Sequence, residues 1–164
     1  MTAKSKGVSG LKRKIFGIML VFIMVLSSSA LAAAATIGYV DFEFLFYSHP
    51  EYEAKNRELQ ESAERLYNEA QAEAEKLETQ EEIDALAARY EEQFEEIEHN
   101  VRLALITFIL QIIEQVAQQQ GIDVVLPESS VIYGGINLTA PVIEAMYNAY
   151  GISVPSAIRD LLQE

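Results

Sequence analysis

From Glu51 to Gln120 the chain runs for 70 residues without a glycine or a proline. Those are the two residues that most readily interrupt a helix. The stretch is filled with Glu, Ala, Gln, Leu and Arg, all good helix formers. Apolar residues recur at heptad spacing, with Tyr52, Leu59 and Leu66 on one position and Ala63, Ala70 and Leu77 on its partner. That is an a/d seam, weakened by Asn56 and Glu73. Ile83, Leu86, Tyr90, Phe94, Ile97, Val101, Leu105, Phe108 and Ile112 continue at steps of three and four. A single helix of this length would reach about 105 Å, so a hairpin is expected. Its turn falls at Glu78-Thr79-Gln80, where Thr79 and Glu82 have the spacing of a capping box. The pattern therefore predicts one helix over 51–77 and a second over 80–119.

The second helix changes character from Val101 onward. Leu103, Leu105, Ile106, Phe108, Ile109, Leu110, Ile112, Ile113 and Val116 occupy most of its faces, which predicts deep burial. Arg102, Gln111 and Glu114 argue against a membrane span. Around the hairpin lie short strand-like segments rich in β-branched and aromatic residues. They are Thr36–Phe42, Ile122–Leu126 and Ser130–Tyr133, the last closed by Gly134-Gly135. Glu43–Ser48 reads as a turn of helix broken by His49-Pro50. Gly121 is a helix stop, and Thr139 is placed to cap a helix through Ala149 that Gly151 ends. The expected fold class is α+β, a small β-sheet body holding both ends of a long antiparallel helical hairpin. Residues 36–50 and 101–150 would be the body, 51–100 the arm and 151–164 an amphipathic C-terminal extension.

Residues 1–35 read as an address. Lys4, Lys6, Lys12, Arg13 and Lys14 precede an apolar run from Ile15 to Leu26, and serines and alanines follow. A basic start, a short apolar core and an A-x-A site describe a cleaved secretory signal, with cleavage after Ala32 or Ala35. The alternative is an uncleaved membrane anchor carrying a coiled-coil spacer, a tethering protein. Ile15–Ala35 would measure roughly 31 Å as a helix, long enough to cross a bilayer. Cleavage predicts export to the periplasm with no stable membrane insertion afterwards.

The formal net charge is −13, and it becomes −18 from Thr36 onward. Glu51–Asn100 alone holds 17 acidic and 5 basic residues. Such a chain lacks the cations that nucleic acid requires. The absence of cysteine removes disulfides, thiolate catalysis, thiolate zinc sites and a lipidated cysteine. Glu96-x-x-His99 is half of a di-iron bundle motif, but the other histidine, His49, has Phe46 where a glutamate would be needed. No nucleophile elbow, P-loop or dinucleotide fingerprint occurs. No enzyme, cofactor or metal is expected.

The base of the second helix carries more apolar surface than one small sheet covers, which predicts a symmetric oligomer. Ile37-Gly38-Tyr39-Val40-Asp41 followed by His49-Pro50-Glu51-Tyr52 resembles the start of the Skp/OmpH family of periplasmic chaperones. Gly121–Leu126, Val131–Gly135 and Asn137-Leu138-Thr139 before Val142-Ile143 resemble its far end. The resemblance covers about residues 36–150. It implies a trimer with a β-containing body and helical tentacles around a cavity that holds unfolded outer-membrane proteins without ATP. It also implies body strands at Ile37–Phe42, Ile122–Leu126 and Val131–Tyr133, with Leu103–Val116 along the axis. The interface residues would then be Ile37, Val40, Phe42, Leu103, Ile106, Leu110, Ile113, Val124 and Ile132. Well-characterised members are basic, whereas the tip here, Lys76–Asp84, is mostly acidic.

Such a chaperone needs a sheltered surface that binds weakly at many points. Leu66, Tyr67, Leu86, Tyr90 and Phe94 are the arm residues able to offer apolar contacts to unfolded exported or outer-membrane proteins. The same residues could instead zip the two helices together.

Overall fold

A computed structural model describes residues 35–162; the expected leader and most of its expected cleavage region lie outside the described residues. Strand β1 (Ile37–Val40) is followed by helix α1 (Phe42–Tyr47) and then by the long helices α2 (Tyr52–Ala74) and α3 (Gln80–Gln120). After them come β2 (Val124–Pro127), a 3-10 turn (Glu128–Ser130), β3 (Ile136–Asn137), α4 (Thr139–Ala149) and α5 (Ser156–Leu161). The described residues are mostly helical, with one small three-stranded sheet, and α3 is by far the longest element.

The helix ends follow local chemistry. Asp41 Oδ1 accepts the Phe44 N–H at 2.9 Å and so starts α1. The strand expected over Ile37–Phe42 therefore stops at Val40, and Phe42 is helical. Thr79 and Glu82 form the full capping box at the start of α3. Gly121 ends α3 with φ of 67°, a left-handed position that costs glycine little. Ile122 then folds back, its N–H donating to Ala117 O at 2.9 Å, so β2 begins later than expected, at Val124.

The sheet is parallel throughout, in the order β2-β1-β3. Ile37 faces Val124 and Val40 faces Pro127 on one side, while Gly38 faces Ile136 on the other. Pro127 lacks an N–H and is tolerated because β2 is an edge. The strand expected over Ser130–Tyr133 does not form. The 3-10 turn and the positive-φ pair Gly134 and Gly135 carry that segment away, and the third strand follows the glycines at Ile136. Thr139 does not cap α4. Its Oγ1 accepts the Asp41 N–H at 2.9 Å, and Asn137 Oδ1 accepts the Thr139 N–H at the same distance. The end of the central strand is thereby tied to the start of α4 just beyond β3.

The core gathers Val40, Leu45, Ile109, Ile113, Leu138, Val142, Ile143 and Met146. Gly38 sits against it so closely that an added Cβ would lie 2.8 Å from Leu138 Cδ1 and 3.1 Å from Ile122 Cγ2. The C-terminal residues join this body too. Val154 is buried, Ile158 and Leu162 pack on the core, and Arg159 donates to Val154 O through Nε and Nη2 at 3.1 and 2.7 Å.

Within one chain the base of α3 is not buried on all sides. Leu105, Ile109, Ile112, Ile113, Val116 and Ala117 face inward, but Leu103 and Leu110 are 49% and 53% exposed. By length and composition α3 could cross a membrane, and one face of its apolar half packs on the core described here.

Candidate functional site

Along α2 and α3 the side chains meet in a regular sequence. Leu59 shares a groove with Val101 near the body, and Leu66 shares one with Phe94 further out. Glu73 pairs with Arg89 beyond that. The alanines of the α2 seam decide what this contact leaves open. Ala63 and Ala70 present only methyl groups, so a gap of about 210 Å³ remains beside them, lined by Leu66, Tyr67, Tyr90 and Phe94. Four of the five residues expected to touch clients are thus brought together in one groove. Leu66 forms its buried floor and Tyr67 stands at its edge, 68% exposed. Tyr90 and Phe94 are half-buried. Leu86, the fifth, does not line the groove and is buried.

The electrostatics of the groove are local and directional. Glu73 accepts from Arg89 and, at 3.3 Å, from the Tyr90 hydroxyl. The Arg89 hydrogen bond holds the Glu73 carboxyl below the usual carboxylate range. The same contact raises Arg89. Burial, with the Glu73 charge beside it, pushes the Tyr90 phenol up. The Arg89 guanidinium also lies over the Tyr90 ring, 5.2 Å from its centroid. Tyr90 is consequently held in one orientation at the groove wall.

A second groove, of about 200 Å³, lies where α1 meets α2 and α3. Phe46, Tyr47 and Tyr52 line it and stack edge to face, with centroids 5.2–5.7 Å apart. Sequence reasoning missed this aromatic triad. Its signal was the EFLFYS run, whose aromatic residues a single helical turn brings next to Tyr52. Nearby, His49 is buried against Phe108 and Tyr150, at centroid distances of 5.0 and 5.9 Å. Burial and a hydrogen bond with Glu51 push Tyr150 up to about 12.

The nine residues expected at a subunit interface fall into distinct groups. Val40 and Ile113 lie buried in the core of this chain. Strand alternation on β1 and the 3.6-residue period of α3 put them in the cluster with Leu138 and the α4 side chains. Phe42 packs partly on the same core. Ile106 is half-buried. Ile37 and Val124 are exposed on the sheet, and Leu103 and Leu110 on α3. Ile132 is fully exposed, with Tyr133 beside it equally so. Tyr133 was not foreseen at this position, because the segment was expected to form a paired strand.

His99 of the Glu96-x-x-His99 motif is exposed, whereas His49 is buried. Among the described residues no three His, Asp or Glu side chains come together to hold a metal ion.

Comparison with protein-family models gave no match, and none was found among curated proteins.

Proposed function

We propose that this is an exported, ATP-independent holdase of the Skp/OmpH kind, in which α2 and α3 form an antiparallel hairpin arm. The pairing of Leu59 with Val101, Leu66 with Phe94 and Glu73 with Arg89 supports the hairpin, because one position rises as the other falls. The arms of an oligomer, most simply a trimer, then border a cavity that shelters unfolded exported or outer-membrane proteins.

The observation that carries this reading is the apolar groove set in a strongly acidic helical pair. It offers a small, shallow apolar contact and no chemical machinery, which suits repeated weak binding. The exposed Leu103 and Leu110, the open sheet edges and the bare Ile132-Tyr133 tip support assembly. Unpaired strands and apolar patches of this kind are normally covered. The acidic arms repel one another and keep the space between them open at short range.

The test is the native mass of the processed protein, measured together with suppression of aggregation of a denatured barrel protein. A multimer that keeps its client soluble without nucleotide supports the reading, and a monomer indifferent to denatured chains rejects it. Mass spectrometry of the N-terminus separates the tethering alternative. A start near Ala33 or Thr36 indicates a released chaperone, and retention of Met1 indicates an anchor.

A further inference from the structure

The arm groove and its rim make opposite demands on a ligand. The lining is apolar, with Ala63 and Ala70 on one side and Tyr90 and Phe94 on the other. Its volume of about 210 Å³ exceeds the roughly 150 Å³ of an apolar cavity that takes up benzene. One phenylalanine ring or one leucine side chain fits, and a folded domain does not. Tyr90 is already pinned by Glu73 and Arg89, so one wall of the groove needs no ordering when a ligand arrives.

The rim is anionic. Residues 61–73 and 87–98, the stretches that carry the groove, hold nine glutamates against Arg65 and Arg89. Arg89 is already paired with Glu73. Glu64, Glu69, Glu91 and Glu95 all stand exposed next to groove residues in sequence. A carboxylate beside an incoming ring would be repelled, and a lysine or arginine attracted, within a Debye length of about 8 Å. The exposed Tyr67 ring adds a face on which a cation can rest.

We infer that this groove selects unfolded segments in which one aromatic or leucine side chain is flanked by lysine or arginine. The inference rests on the holdase reading and names the client chemistry that its arm prefers. Apolar segments flanked by Asp or Glu are rejected at the rim, although their side chains fit the gap. Basic segments without an apolar anchor are attracted but not held.

Fluorescence anisotropy with short blocked peptides tests this on the full chain. The three probes carry a phenylalanine flanked by lysines, the same phenylalanine flanked by glutamates, and an alanine flanked by lysines. The first should bind about tenfold or more tighter than either of the others. Ala70→Leu fills the gap and Tyr67→Ala removes its exposed edge. Each should weaken the first peptide several-fold, with the helical circular dichroism unchanged. Equal binding of the lysine- and glutamate-flanked peptides overturns the inference, as does undiminished binding to both folded variants. Aggregation suppression in the same preparations separates the two readings. Suppression without peptide preference overturns only the selectivity, whereas loss of suppression with preference intact overturns only the holdase reading.

Discussion

Nδ1 of His49 accepts a hydrogen bond from the Glu51 backbone N–H at 3.0 Å, so the imidazole is neutral and carries its proton on Nε2. Nε2 is buried and finds no partner among the described residues. The ring stands where α1 hands over to α2, between Phe108 of α3 and Tyr150 beyond the end of α4. Glu51 is the charged group that acts on it, and its attraction for a cation is outweighed by burial.

That balance makes the joint sensitive to acid. Burial lowers the folded-state pKa of His49 below its ordinary 6.5. The unfolded chain then binds a proton first as the pH falls, and stability is lost from about pH 6.5 downward through the folded pKa. Thermal melts between about pH 7.5 and 5.5 should show falling stability. His49→Phe keeps an apolar ring in the site and should flatten that slope. The depressed Glu73 and Glu82 carboxyls act lower, their contribution disappearing as the pH falls below the carboxylate range. An unchanged slope in His49→Phe would assign the acid sensitivity elsewhere.

Gly38 lies at the centre of the sheet. A methyl group there meets Leu138, which is fully buried and has no room to withdraw. Gly38→Ala should destabilise the protein by about 1–3 kcal/mol through overpacking. Denaturant unfolding measures this, with the midpoint lowered and the slope retained.

Leu103 and Leu110 are the apolar residues of the α3 base most open to solvent. In an isolated subunit, substituting exposed positions changes stability by no more than about 0.5 kcal/mol. Leu103→Lys combined with Leu110→Lys should therefore leave helicity and melting of the subunit nearly intact while lowering the native mass to that of one chain. A native mass identical to the parent's assigns assembly to another surface.

Client protection should weaken with salt. The arm carries 17 acidic residues between Glu51 and Asn100 against 5 basic ones, and their attraction for cationic segments is screened as ionic strength rises. Light scattering of a denatured barrel protein should show falling suppression between about 0.05 and 0.5 M salt. A flat titration would leave only the apolar contact.

The helices were legible because their determinants are local. The run free of glycine and proline, the Thr79–Glu82 box and the Gly121 stop each act within a few residues, and each is realised within about three positions of the expected boundary. What failed was set at long range. Val131-Ile132-Tyr133 has strand composition, but pairing depends on what a neighbouring strand presents, and the two glycines place Ile136 there instead. Thr139 has the residue type of a cap, yet its hydroxyl serves the Asp41 N–H nearly a hundred positions earlier. The arm groove was half legible. Its aromatic residues stand out in the sequence, whereas the gap is made by Ala63 and Ala70, whose contribution is the bulk they lack.

The middle strand of the sheet has a consequence for biogenesis. Residues 37–40 come early in the chain, and both of their neighbours, Val124–Pro127 and Ile136–Asn137, come near its end. A chain threading out from its N-terminus presents Ile37–Val40 long before anything exists to dock on either side. The helical pair can condense on the way, but the body closes only after the last strand has emerged. Until both later strands have formed, Ile37–Val40 stands with its two edges bare, so the sheet is the last part of this molecule to be secured.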